Sequence, residues 1–410
     1  MRPDTGHYTE RARALDAADP LADLRQRFLL PEDVVYLDGN SLGALSASVG
    51  DRLGDVVSRQ WGQDLVRAWN DDGWWQAPER IGDRIGALIG AAPGQTVAGD
   101  STSVQLFNML SAAIRLHDGQ GGAIVTDAGQ FPTDGYLADS VGRLLGRQVV
   151  RTSDPYAALA RGGAAVLVWS TVDFRTGRLW DMAGLTAAAH AAGAVVVWDL
   201  CHAVGALPLQ LDADGVDLAV GCTYKYLSGG PGSPAFCYVA RRHQAALDQP
   251  LTGWHGHSQP FAMEPGYQGA DGIGRARIGT PPMLSLLALD AALDVFDHVD
   301  LDLVRAKSLR LGEFFMAGAD EAGLEVITPR EPGQRGSHVT LRHPDALPVM
   351  AALIEAGVIG DVRPPDLLRF GFNALYNSFG ELGRALEILG EVLSSGRYRE
   401  PRFQARPTVT

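Results

Sequence analysis

Ala194-Val195-Val196-Val197-Trp198-Asp199-Leu200-Cys201-His202 and, further on, Gly221-Cys222-Thr223-Tyr224-Lys225-Tyr226-Leu227-Ser228-Gly229-Gly230-Pro231-Gly232-Ser233-Pro234 decide how the chain is read. The first stretch is an apolar run of strand length ending in a carboxylate, and open α/β sheets place ligands at the carboxyl ends of their strands. An isolated buried carboxylate is costly, so Asp199 needs a partner. It reads either as a cap on the next turn or as the partner of a cationic heterocycle, with His202 close behind. The second stretch sets a lysine after a strand, between two tyrosines, ahead of a loop rich in Gly and Pro. Desolvation and close packing lower a lysine's pKa, which is what a lysine forming a Schiff base needs. The chain has two lysines, Lys225 and Lys307. Lys307, in Leu303-Val304-Arg305-Ala306-Lys307-Ser308-Leu309, reads as a solvated helix face, so lysine-amine chemistry falls to Lys225.

Around these stretches, short apolar segments alternate with helical periodicity. Strands are expected at 123–126, 148–151, 164–170, 194–199, 218–221 and 235–239, with helices at 103–116, 133–145 and 181–192 between them. That alternation predicts a mostly parallel sheet covered on both faces. Upstream, 8–28 reads as a helix broken near Pro20, 34–37 as a short strand, and 46–69 and 78–90 as helices, with Trp61, Trp69, Trp74 and Trp75 clustered nearby. Residues 251–282 show no periodicity, and so long a loop in a compact domain is usually functional. Helices then fall at 283–298, 300–322, 346–356 and 379–394, and strands near 324–327, 338–341, 359–363 and 367–370. The tail after 397 reads as polar and mobile. The resulting division is an N-terminal segment 1–60, a large α/β domain 61–282 and a small α+β domain 283–410.

Composition narrows the function. The formal charge is −13, which argues against a nucleic-acid backbone or an anionic membrane as principal partner. At 46% hydrophobic and 20% charged residues, the chain can bury a large core. No apolar run approaches the roughly 18 residues needed to span a bilayer, and the opening Met1-Arg2-Pro3-Asp4-Thr5 lacks a signal-peptide core. A cytoplasmic protein is expected. Cys201, Cys222 and Cys237 form neither a disulfide framework nor a metal-binding spacing, so no metal is expected.

A pyridoxal phosphate site needs a lysine, an acid facing the pyridine nitrogen and a phosphate cradle. Lys225 and Asp199, on successive strand ends, meet the first two needs. Asp100-Ser101-Thr102-Ser103 opens a helix and offers hydroxyls and backbone N–H groups to a phosphate; it reads equally as a helix cap. Phe131-Pro132-Thr133-Asp134 either lays a ring on a cofactor face or forms an ordinary turn. Gly39-Asn40-Ser41-Leu42-Gly43 matches the G-x-S-x-G elbow of serine hydrolases, which would make Ser41 a cofactor-free nucleophile. Against that reading, the motif follows a single short strand, whereas an elbow needs most of a sheet built before it.

Taken together, Tyr36-Leu37-Asp38-Gly39-Asn40-Ser41-Leu42-Gly43, Phe131-Pro132-Thr133-Asp134, Trp198 to His202, Gly221 to Ser233, Gly253-Trp254 with Gly256-His257, Gly279-Thr280, Arg335-Gly336-Ser337-His338 and Arg369-Phe370-Gly371-Phe372 resemble the kynureninase family, closest to its bacterial members. The resemblance runs in order along nearly the whole chain. It implies fold type I of the pyridoxal phosphate enzymes: a large domain with a mostly parallel seven-stranded sheet, a small C-terminal α+β domain, and homodimers that share active sites. It implies that Lys225 carries the cofactor and Asp199 faces the pyridine nitrogen. Phe131 stacks on the ring, with Asp134 and His202 beside it. Ser101, Thr102 and Tyr224 hold the phosphate region, joined by Trp254 and Thr280 of the neighbouring subunit. Arg369 clamps the substrate carboxylate, and Trp69, His255, Gly279 and Asn40 complete the substrate pocket. The implied reaction is hydrolysis of the Cβ–Cγ bond of L-kynurenine to anthranilate and L-alanine, in tryptophan catabolism or NAD biosynthesis. Lys225 serves there as base and Tyr224 as the acid toward Cβ.

Two positions depart from the family pattern. His255 stands where the family usually has Phe, and either reads a ring substituent such as a 3-hydroxyl or is a tolerated planar exchange. Asp173 replaces the usual Asn. A modified 3-hydroxykynurenine as substrate in secondary metabolism is therefore open. A cysteine desulfurase, the neighbouring chemistry on this fold, needs a mobile cysteine in the C-terminal half, and none follows Cys237.

Overall fold

A computed structural model describes residues 6–117 and 121–405. The polar N-terminal pentapeptide read above lies outside the described residues. A seven-stranded sheet forms the larger half, in the order Thr96–Ala98, Phe236–Val239, Leu218–Gly221, Val195–Asp199, Ala164–Ser170, Ala123–Asp127, Val149–Thr152. Its strands are parallel except Phe236–Val239, which runs antiparallel to both neighbours. The central strands Ala164–Ser170 and Val195–Asp199 are apolar and buried on both faces because helices cover each side of the sheet. Thr96–Ala98 escapes sequence reading: three residues on an edge carry too little pattern to register as a strand.

A second, antiparallel sheet orders Glu325–Val326, His338–Arg342, Leu367–Gly371 and Asp361–Arg363 around a smaller core with Phe314, Phe315, Phe370 and Phe372. Val35 and Leu37, from the N-terminal segment, join this smaller core. Val35–Tyr36 pairs in parallel with Val358–Ile359. The helix Met283–Ala292 sends Leu286, Leu287 and Leu289 into the larger core although it lies beyond residue 282. The expected helix over 46–69 is interrupted: Ala47–Asp55 is α-helical, but Val56–Asp64 widens into π-helical turns that end at Leu65 with φ of 56°. There Gln60 Oε1 accepts from Trp74 Nε1 at 2.7 Å, fixing the tryptophan cluster. No helix among the described residues is long and apolar enough to cross a membrane.

Two expectations are corrected. Residues 397–403 are not a mobile tail, because they form two short 3-10 turns that bury Tyr398 and Phe403. Lys307 is not solvated either: its side chain is 4% exposed and its Nζ lies 2.7 Å from Asp19 Oδ2. The reason is the N-terminal segment, which covers that face of the helix Leu301–Glu321. Asp16 in the same segment caps Phe379 N and Gly380 N at the start of the helix Phe379–Ser395. Breaking one side of a buried ion pair leaves an uncompensated charge, so Lys307→Ala should lower unfolding free energy by about 3–5 kcal/mol. Urea titration measures this, and Lys307→Met combined with Asp19→Leu should recover most of the loss.

Candidate active site

Val195–Asp199 delivers Asp199 to the carboxyl edge of the sheet, where Oδ1 accepts from Cys201 N (2.8 Å) and Oδ2 from Ser170 Oγ (3.1 Å). Asp199 is buried, and Asp134 is buried beside it, also accepting from Gln130 Nε2 at 2.8 Å. Burial, then the neighbouring Asp199 charge, pushes the Asp134 carboxyl well above its ordinary range. Lys225 Nζ lies 3.1 Å from His202 Nε2. His202 is held neutral, first by burial and then by the positive Lys225 and Arg369, and its Nδ1 has no hydrogen-bond partner among the described residues. Tyr224 sits under the lysine, with Nζ 5.9 Å from the ring centre. Burial pushes its phenol far up, so it stays protonated at neutral pH.

The turn after Val35–Tyr36 lies directly on the lysine segment. Gly43 N donates to Tyr224 O at 2.7 Å, and a Cβ on Gly43 would fall 2.2 Å from Lys225 O, so only glycine fits there. Ser41 is no elbow nucleophile: its Oγ donates to Asp361 Oδ2 (2.8 Å) and accepts from Arg369 Nη2 (3.0 Å). The strand before it belongs to a two-stranded sheet separate from the main one. With its amide oxygen turned to the guanidinium, Asn40 accepts from Arg369 Nε at 3.0 Å. Arg369 Nη1 donates to Phe174 O (2.7 Å), and Phe174 meets Phe131 edge-on at 5.2 Å. Phe131 itself is half-exposed. Asp173 Oδ1 accepts from Arg175 N, Thr176 N and Thr176 Oγ1, so the carboxylate holds the turn that carries Phe174.

Ser101 caps the helix Thr102–Leu116, its Oγ accepting from Val104 N at 3.4 Å, and is exposed, with Thr102 half-buried behind it. Asp100 before it is left-handed, φ 53°, a costly conformation for a side-chain-bearing residue. Its carbonyl is held by Ala235 N at 2.9 Å, which aims the helix N-terminus outward as an anion cradle.

A second grouping holds Trp69, Trp75, Trp254 and His255, with ring centres 4.2–6.0 Å from that of His255. Trp254 is 40% exposed, and Gly279 and Thr280 lie open on the same loop face, which borders Gly99 and Asp100. Arg277 Nε and Nη2 lie 2.8 Å from His255 Nδ1 and Nε2, and a neutral imidazole accepts from one of the two. Arg277 is fixed in turn by Glu79 Oε1 (2.8 Å) and Trp75 O (2.9 Å). Burial and Arg277 hold His255 down to about 3, so it is neutral.

Sequence reading missed Asp361, Arg363 and Arg277. A charged pair inside the apolar run Val358-Ile359-Gly360-Asp361-Val362-Arg363 was the available signal for the first two. The donor set fits pyridoxal phosphate: an amine, two adjacent buried acids and an orphaned imidazole nitrogen lie close together. Among the described residues no group of His, Cys, Asp and Glu suits a metal ion.

The class follows from the fold, which is that of the fold type I pyridoxal phosphate enzymes. Cysteine desulfurases from Thermococcus onnurineus NA1 (TM-score 0.77, 18% identity, covering 91% of this chain and 98% of that one) and Escherichia coli (TM-score 0.78, 18% identity, 92% and 98%) share it. That likeness is one of fold, and all three cysteines here are buried. Residues 304–389 match the kynureninase C-terminal domain. Kynureninase from Pseudomonas fluorescens is 44% identical over 408 residues, 97% of this chain and 98% of that protein. Kynureninase from Deinococcus radiodurans is 48% identical over 391 residues, 93% and 95% respectively. The chain belongs to the kynureninase family.

Proposed function

We infer that this protein hydrolyses the Cβ–Cγ bond of L-kynurenine, giving anthranilate and L-alanine, with pyridoxal phosphate bound at Lys225. The observation that carries the reading is the proximity of Lys225 and His202 to the Asp199–Asp134 acid pair and to Arg369, in a chain with kynureninase relatives along nearly its full length. When bound, the cofactor supplies an electron sink for the charge that develops at Cα and Cβ.

The chain's own residues supply the rest. Asp199, fixed by Ser170 and Cys201 N, holds a proton on the ring nitrogen. Lys225 moves protons at Cα, and the neutral His202 beside it accepts a hydrogen bond without adding charge. Tyr224, protonated through burial, gives a proton to Cβ. Phe131, half-exposed, would cover the ring face. Arg369, with Nε and Nη2 engaged by Asp361 and Ser41, would meet the α-carboxylate through the remaining N–H of Nη1. Ser101 and Thr102 hold the phosphate at the helix N-terminus.

The working unit is a homodimer in which Trp254 and Thr280 of one subunit approach the phosphate of the other. Support comes from the outward-facing strap carrying Trp254, Phe261 and Met263, the last two 69% and 77% exposed. Light scattering of the purified protein tests it, with twice the chain mass expected.

Purified protein supplied with pyridoxal phosphate is expected to release anthranilate and alanine from L-kynurenine in equal amounts, and no release overturns the assignment. Because Arg277 packs against the nitrogen edge of the buried His255, His255→Phe should leave the kcat/KM ratio of L-3-hydroxykynurenine to L-kynurenine within about threefold. A larger fall would make His255 a reader of the ring substituent.

A further inference from the structure

The surroundings of Arg369 hold more charge than a carboxylate clamp needs. Asp361 stands directly opposite Arg369 on the neighbouring strand. It accepts from Arg369 Nε at Oδ1 (2.8 Å) and from Nη2 at Oδ2, and both side chains are 1% exposed. Arg363 Nη2 reaches the same Oδ2 at 2.6 Å. Asp38 arrives from the other side, in the turn that bridges to Gly371, and its carboxyl lies beside that of Asp361. A Cβ on Gly371 would collide with Asn40, so this close approach depends on glycine.

Two guanidinium groups and two ionised carboxylates sum to zero. Seating a substrate carboxylate on Arg369 leaves the enclosed group one charge negative, and an uncompensated buried charge is costly. One proton removes it. We propose that Asp38 and Asp361 are a positioning pair for Arg369 that takes up one proton, carried by Asp38, when an amino-acid carboxylate binds. This rests on the reading of Arg369 as the carboxylate clamp.

Asp361 is the member that stays ionised. Arg369 and Arg363 outweigh its burial and hold its carboxyl below the usual range. Asp38 lacks such a hydrogen-bonded guanidinium among the described residues. Burial, then the Asp361 charge, raises it to about 7. The other groups facing the pair do not compete: Tyr36, Tyr226 and Tyr376 are pushed up by burial, and His338 is held well below its ordinary value by burial and Arg369. The sign follows. Above pH 7 the complex holds more protons than the free enzyme, so carboxylate affinity falls as pH rises, by up to about tenfold per pH unit, and is flat below about pH 6.

The test uses the holoenzyme with two probes, L-alanine and ethylamine, which share an amine but differ in the carboxylate. Calorimetry in two buffers of different ionisation enthalpy gives protons taken up at pH 8, and titration from pH 6 to 9 gives the dissociation constants. In the wild-type protein L-alanine should take up nearly one proton more than ethylamine. Asp38→Asn should abolish that difference and the affinity slope above pH 7, while leaving the pH 6 dissociation constant within about threefold. Asp361→Asn should raise KM for L-kynurenine more than about tenfold with kcat changed less than threefold, a split that general misfolding would not produce. Equal proton uptake for the two probes in the wild-type protein overturns the proposal, as does an unchanged slope in Asp38→Asn. If Arg369→Gln leaves L-alanine affinity intact, the clamp reading itself has failed and the proposal falls with it.

Discussion

Lys225→Ala should lower kcat/KM for L-kynurenine by about 10⁴-fold or more, and borohydride reduction of the variant should no longer fix the cofactor to the chain. The size of the effect follows from the site having one amine. The other lysine, Lys307, is committed to Asp19 on a different face of the molecule. His202, 3.1 Å from Nζ, cannot stand in as a cationic acid because burial and the local positive charge keep it neutral. Lys225→Ala should nevertheless fold, since the segment is held through backbone contacts that the substitution spares: Gly43 N to Tyr224 O, Ser228 N to Lys225 O and Gly229 N to Thr223 O. Mass spectrometry after reduction, together with single-turnover rates, separates loss of attachment from loss of chemistry. A variant that keeps more than about a hundredth of wild-type kcat/KM would move the base elsewhere.

Asp199→Asn should reduce kcat by about 10³-fold with a smaller change in KM, because it removes a charge while keeping the shape. The amide oxygen can still accept from Cys201 N, so the strand end should stay in place. What is lost is the group that keeps the ring nitrogen protonated. Asp134 complicates the result in an informative way. Its carboxyl is pushed well up by burial and by the charge on Asp199, so neutralising Asp199 lets Asp134 ionise more readily and replace part of the missing charge. The double variant Asp134→Asn with Asp199→Asn should therefore fall below the product of the two single effects. Strict additivity would show that the two carboxyls act independently.

The contrast between what could and could not be read from the sequence has a physical origin. Apolar runs buried on both faces, such as Ala164–Ser170 and Val195–Asp199, announce themselves because nearly every position repeats the same signal. Lys225 was legible because the chain has a single other lysine, and Asp199 because a carboxylate closing an apolar strand demands an explanation. The failures share a different cause. Lys307 sits on a helix whose outer face looks solvated until a segment nearly three hundred residues earlier folds over it. Asp361 faces Arg369 only through strand register, which turn geometry and hydrophobic pattern set for the whole sheet and which no local window contains. Arg277 takes His255 out of play from twenty-two residues away. Charges that compensate one another across the fold are invisible in one dimension, whereas charges without a local excuse stand out.

The parallel pairing of Val35–Tyr36 with Val358–Ile359 also bears on the order in which the protein is made. Translation releases Asp38, Asn40 and Ser41 near the beginning and Arg369 near the end, so a nascent chain has the early half of the carboxylate site with nothing to close on. The lysine segment and the phosphate-facing helix emerge well before residue 361. A ribosome-bound chain can therefore complete most of the cofactor's cradle while still unable to recognise an amino acid, and long-range pairings of this kind are late events in folding. On the proposed reading of Arg369, substrate recognition waits until the last strands are out of the exit tunnel.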